Sequence, residues 1–114
     1  MPNRIIRESA CTSPNLDVLS DFSERTFWRL TTKADDFGRF EAEASVVASN
    51  CFPRRNGKNG LMEQVGKALE ELMSEELIKL YETKGRRYGC FVTWEKYQTK
   101  RARHSKYPPP LTTK

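Results

Sequence analysis

Three clusters of cationic side chains mark where this sequence could do chemistry. Arg54, Arg55 and Lys58 fall within five residues, in "RRNGKNG". Arg86 and Arg87 follow a Lys-Gly pair, in "KGRR". Lys96, Lys100, Arg101, Arg103, His104 and Lys106 crowd the stretch "TWEKYQTKRARHSKYPPP", with Tyr97 and Tyr107 interleaved and three prolines behind them. Guanidinium and ammonium groups at this density neutralise phosphate and donate charge-assisted hydrogen bonds to it. Interleaved aromatic rings add surfaces on which bases stack. The chemistry on offer is recognition of a polyanion, with duplex DNA first and single-stranded DNA second as the ligand classes that fit.

Covalent and acid–base catalysis find no comparable set. His104 is the only histidine and lies among cations, a poor place for a general base. Asp35 and Asp36, just before Gly38, read as a helix-end turn. Cys11, Cys51 and Cys90 are widely spaced, with no CxxC, and do not have zinc-ligand spacing. They read as reduced, buried thiols of an intracellular chain. Neither a phosphate-cradling glycine motif nor a nucleophile–base–orienter set is present. The expectation is a protein that is not an enzyme and needs no cofactor or metal. The opening "MPNRIIRESA" lacks an apolar signal core, and no run is long enough to span a bilayer. A cytoplasmic location and no membrane partner follow as expectations.

The elements that must position the cations come next. The chain has 114 residues, 37% hydrophobic and 31% charged, with a formal net charge of +5. That suits one small globular domain with a modest core. The charge is unevenly spread. Residues 1–53 hold eight acids against six cations, and residues 61–83 hold six against two. Residues 84–114 hold nine cations and one acid. "CTSPNLDVLSD" is rich in turn formers, and Pro14 and Asn15 are expected to break any regular element. "SDFSERTFWRLTTKADDFG" predicts a helix capped by Ser20 or Asp21 and stopped by Gly38, with Phe27, Leu30, Ala34 and Phe37 as its buried stripe. "RFEAE" predicts a short strand, and "ASVVASNCF" a short helix ended by Pro53, burying Val47 and Cys51. "RRNGKNG" reads as a loop. "LMEQVGKALEELMSEE" gives the strongest helical signal, with Leu61, Val65, Ala68, Leu69 and Leu72 on one face. "LIKLYET" and "RYGCFVTW" predict a hairpin turning at Lys84 and Gly85. Its register would pair Tyr81 with Tyr88, Ile78 with Phe91 and Glu82 with Arg87. The buried set is expected to include Phe27, Leu30, Val65, Leu69, Leu72, Ile78 and Phe91, with Trp94 covering the core.

The predicted fold class is therefore α+β. Helix, short strand, helix, helix and hairpin is the layout of a winged helix-turn-helix, with "KGRR" as the wing. Residues 1–98 would form that domain, and residues 99–114 a basic, proline-rich tail or linker.

In this order, "MPNRIIRES", "DDFGRF", "CFPRR", "LIKLYE", "VTWEKYQ" and "RARHSKYPPP" cover nearly the whole chain. The ordered set resembles the N-terminal domain of phage and prophage replication initiation proteins, the replisome organisers related to DnaD-type primosome proteins. The resemblance implies a winged-helix fold and a role in starting replication on DNA. Members usually carry a further C-terminal region. Through such a region, absent from these 114 residues, the resemblance implies host replication proteins as partners.

Each cation has a role on this reading. Arg54, Arg55 and Lys58 would grip phosphate near the start of the helix over residues 61–76. That helix carries Glu63, Gln64, Lys67, Glu70, Glu71 and Ser74 on its exposed face, so its acids repel phosphate. Only Asn59, Gln64 and Lys67 look usable, with Gln64 able to pair with adenine. Arg86 and Arg87 would touch phosphate from the wing. Lys100, Arg101, Arg103 and Lys106 would lie along phosphates when bound and be loose when free. Pro108, Pro109 and Pro110 would stop any helix and hold the chain after them at a distance. Two other readings remain open. A winged helix serves a transcriptional regulator equally well. It also serves self-association, with the acidic helix face meeting a basic patch on another copy.

Overall fold

The computed structural model describes residues 4–55, 57–94 and 104–110. Among them, five helices and three strands form an α+β fold. The helices are α1 (Ser9–Thr12), α2 (Pro14–Asp17), α3 (Asp21–Lys33), α4 (Ala44–Cys51) and α5 (Leu61–Ser74). The strands are β1 (Arg39–Glu41), β2 (Ile78–Thr83) and β3 (Arg86–Phe91). A single 3-10 turn, Pro53–Arg55, joins α4 to the approach to α5. From α3 onward the order is the expected one.

Local chemistry explains most boundaries. Ser20 caps α3 by accepting from the Ser23 amide. The end of α3 corrects the sequence reading: the helix stops at Lys33, and Ala34 is extended (φ −67°, ψ 154°). Asp35 is the reason. Its Oδ1 accepts from the amides of Phe37 and Arg39, so a side-chain-bonded turn displaces the last helical turn. Gly38 sits inside that turn at φ +78°, under the Trp94 ring, instead of capping the helix. Pro14 is a second correction. It starts α2 at the first helical position, where a missing N–H costs nothing, and Ser13 caps it through the Leu16 amide.

The sheet runs β1-β3-β2, antiparallel throughout. The hairpin pairs Ile78 with Phe91, Tyr81 with Tyr88 and Glu82 with Arg87, as expected. Lys84 (φ 54°) and Gly85 (φ 82°) make its two-residue turn, the conformation that follows strand twist. β1 pairs with β3 from Arg39 opposite Cys90 to Glu41 opposite Tyr88.

The core lies between α3, α4, α5 and the inner face of the sheet. Phe40, Phe52, Leu30, Leu69, Leu72, Ile78, Val47 and Val65 are its large, fully buried side chains. Phe27 and Phe91 are half-buried and pack edge to face at 5.3 Å. Trp94 is buried, and its Nε1 donates to the Asp36 carbonyl at 2.8 Å. Thr26 and Thr31 are buried with their hydroxyls donating to the carbonyls of Phe22 and Phe27, so no polar atom is orphaned there.

The N-terminal segment is pinned by Arg4. Its guanidinium donates to the carbonyls of Thr31 and Ala34, meets Asp36 at 3.2 Å and lies over the Trp94 ring. Arg4 thus satisfies carbonyls that the end of α3 leaves open. No helix among the described residues is long and apolar enough to cross a membrane.

Candidate nucleic-acid interface

Arg54 and Arg55 occupy the 3-10 turn that follows α4, and Lys58 lies in the loop before α5. Arg54, Lys58 and Asn59 are exposed, while Arg55 is half-buried. Arg55 is half-buried because its guanidinium sits 5.6 Å from the centre of the Phe52 ring. Arg29, on α3, comes to the same ring at 4.8 Å and donates to the Cys51 carbonyl at the end of α4. Phe52 stacks on Phe22 at 4.9 Å. One buried ring thus gathers cations from two elements. No local signal in the sequence marks Arg29. It is 26 residues from Arg55, on a helix whose pattern shows only an apolar stripe.

Helix α5 starts after Gly60, a left-handed residue that supplies no capping side chain. Gln64 and Lys67 are exposed on it, beside Glu63 and Glu70. Glu71 departs from the expected outward face. Its carboxylate accepts from the Ser20 amide at 3.2 Å, the Ser20 hydroxyl at 3.1 Å and the Ser23 hydroxyl. These bonds, led by that from Ser23, hold its carboxyl below the usual range. Glu71 is thus half-buried and tied to the start of α3 instead of standing free on the α5 face. Two methionines, Met62 and Met73, are exposed on the same helix.

Arg86 and Arg87 follow the hairpin turn at the start of β3, where Arg86 is exposed and Arg87 half-buried. Glu82 faces Arg87 in register, yet the ion pair forms elsewhere: Arg86 Nη1 meets Glu41 Oε2 at 3.4 Å. The Arg86 side chain keeps 70% of its surface exposed, so this pair restrains it weakly.

Lys96, Tyr97, Lys100, Arg101 and Arg103 lie outside the described residues. Lys106 is exposed, but its amide donates to Asp35 Oδ2 at 2.9 Å. Ser105 donates its hydroxyl to the same oxygen, Arg39 donates to the Tyr107 carbonyl, and Tyr81 donates to the Pro108 carbonyl at 2.6 Å. The expected loose arm therefore does not extend to residues 105–108, which return to the sheet. Tyr107 rests its ring 6.1 Å from that of Tyr88. Burial pushes the Tyr81 hydroxyl up to about 12 and raises that of Tyr107, so both remain donors at neutral pH.

Cys51 and Cys90 are buried, while Cys11 is exposed, contrary to the expectation of three buried thiols. Burial pushes Cys51 up to about 11 and also raises Cys90. Neither offers a thiolate nucleophile at neutral pH. Among the described residues no three His, Cys, Asp or Glu side chains gather as metal ligands.

Compared with protein-family models, with curated proteins and with solved structures, the chain matches none.

Proposed function

We propose that this chain is a winged-helix domain that binds duplex DNA, of the kind that serves phage or prophage replication initiation. One observation carries the reading. Exposed cations stand on the turn leading into α5 and at the tip of the hairpin that follows it, in a helix–strand–helix–helix–hairpin chain. On this reading α4 and α5 form the helix-turn-helix pair and the β2–β3 hairpin is the wing. Arg54, Arg55 and Lys58 neutralise phosphates at the open start of α5, and Arg86 and Arg87 do so from the wing. Asn59, Gln64 and Lys67 are the side chains free to approach base edges. The ordered resemblance to replisome organisers is what favours replication over transcription.

The test is a salt titration of binding to a labelled duplex. Each phosphate neutralised adds about 0.9 to the slope of log K against log[salt]. Replacing Arg54, Arg55 and Lys58 by Ala should therefore flatten it by about 2.7, three phosphates' worth. An unchanged slope removes the turn before α5 from the interface.

A second reading rests on Met62 and Met73. Two exposed apolar side chains beside Glu63 and Glu70 suit a protein contact better than a phosphate backbone. Sedimentation at low salt separates the readings. Self-association that Met62→Lys abolishes, with no duplex binding, favours this second one.

A further inference from the structure

The outer face of the sheet is covered by the chain's own residues 105–108, and the way they are held resembles ligand recognition. Arg39, Tyr81 and Tyr88 stand on that face, with Tyr81 and Tyr88 stacked across the hairpin at 5.8 Å and 28°. Asp35 supplies the polar anchor at its edge. The Phe37 and Arg39 amides engage its Oδ1, and its own amide donates to the Arg39 carbonyl. The turn thus fixes Oδ2 in place without help from residues 105–108. Oδ2 then accepts from the Ser105 hydroxyl and the Lys106 amide. Arg39 takes the Tyr107 carbonyl at 3.3 Å, Tyr88 takes the Tyr107 ring, and Tyr81 takes the Pro108 carbonyl.

All of these contacts fall on four consecutive residues, the signature of a linear motif. The segment bends at Lys106 and Tyr107, where the Tyr107 amide donates to the Ser105 hydroxyl at 3.1 Å, and proline after the tyrosine restricts the chain before binding, which lowers the entropy lost on docking. We propose that this face is a docking site for a bent Ser-x-Tyr-Pro segment, filled in cis here and able to take the same segment from a second copy of the chain. Every copy carries both the site and the segment. Ten residues separate Trp94 from Ser105, so the cis segment competes at an effective concentration on the order of millimolar. Exchange is therefore confined to copies held side by side at comparable local concentration. The site is independent of the duplex-binding proposal.

The test uses the full chain and a labelled synthetic peptide of residues 105–114, read by fluorescence anisotropy. Tyr107→Ala in the chain weakens the cis competitor and leaves the site untouched. That variant should bind the peptide at least about tenfold tighter than wild type. The peptide carrying the Tyr107→Ala change should bind neither chain. A second variant covers the receptor: adding Tyr81→Phe to Tyr107→Ala removes one donor from the site and keeps both rings, and should lower peptide affinity severalfold. Absence of saturable binding, or equal affinity for wild type and Tyr107→Ala, overturns the docking site. For exchange itself, wild-type chain sedimented at concentrations up to millimolar should form a dimer that free peptide dissociates. A monomer throughout overturns the second-copy occupant.

Discussion

A carboxylate that accepts three hydrogen bonds gains more from them ionised than protonated, and Glu71 is such a group. Its folded pKa is lowered, chiefly by the Ser23 hydroxyl. A lowered folded value stabilises the native state above the unfolded pKa of about 4.3 and loses that contribution as pH falls through the folded value. Glu71→Gln should therefore lower the thermal midpoint at pH 7. The gap to wild type should narrow steadily below about pH 4, where both side chains become uncharged. A gap independent of pH in that range would mean the carboxylate's charge does not stabilise the fold. Gly89 makes a second case at this scale. A Cβ there would lie 2.6 Å from two Phe40 ring atoms and 3.3 Å from Leu80. Phe40 is fully buried and cannot step aside. Gly89→Ala should cost about 1–3 kcal/mol in urea melts.

Among the elements, α5 contributes most to the core, through Leu61, Val65, Ala68, Leu69 and Leu72. Leu69 is 2% exposed, and Leu69→Ala should cost about 2–5 kcal/mol by urea denaturation. A loss under about 1 kcal/mol would contradict the packing of this face. The hairpin behaves differently, since its tip carries the exposed Arg86 beside the half-buried Arg87. Arg86→Glu with Arg87→Glu should weaken duplex binding in a gel-shift titration. It should move stability by at most about 1 kcal/mol, because the Arg86–Glu41 pair is exposed. Intact affinity would remove the hairpin tip from the proposed interface. Both elements were legible in the sequence for a physical reason. The α5 face repeats with helical period, and the hairpin register follows from a two-residue turn that sets every pair behind it. The end of α3 was legible only in part: Asp35 and Asp36 read as a helix-end turn, yet Phe37 continued the apolar period and carried the predicted helix on to Gly38. Periodicity reports burial and is blind to a carboxylate that takes backbone amides.

For the molecule as a whole, long-range hydrogen bonds decide what the sequence hid. Asp35 reaches Ser105, and Glu71 reaches Ser20, across 70 and 51 residues. Neither pairing has a local pattern to read. The candidate interface divides the same way. Clustered cations such as Arg54 and Arg55 were visible as composition, whereas Arg29 joins them only because α3 packs beside Phe52. The thiols report on global opening. Cys11 should react with a disulfide reagent at once, while Cys51 and Cys90 should wait for unfolding, since burial keeps both protonated and shielded. Equal rates for all three in native buffer would contradict the packing of α4 and β3.

Asp35 and Asp36, adjacent in the chain, hold opposite ends of the described structure: Arg4 on one, Ser105 on the other. From there residues 105–108 cross to Tyr81 on β2, two interstrand spacings or about 10 Å away. About three fully extended residues span that distance, so four reach it even with the bend at Lys106 and Tyr107. The two ends of the described structure, Arg4 and residues 105–108, are therefore held on one side of the fold. Joining residue 110 to Arg4 by a short Gly-Ser bridge and reopening the backbone at Lys84 and Gly85 would give a circular permutant. It would keep the Asp35, Asp36 and Tyr81 contacts while cutting the hairpin only at its exposed turn.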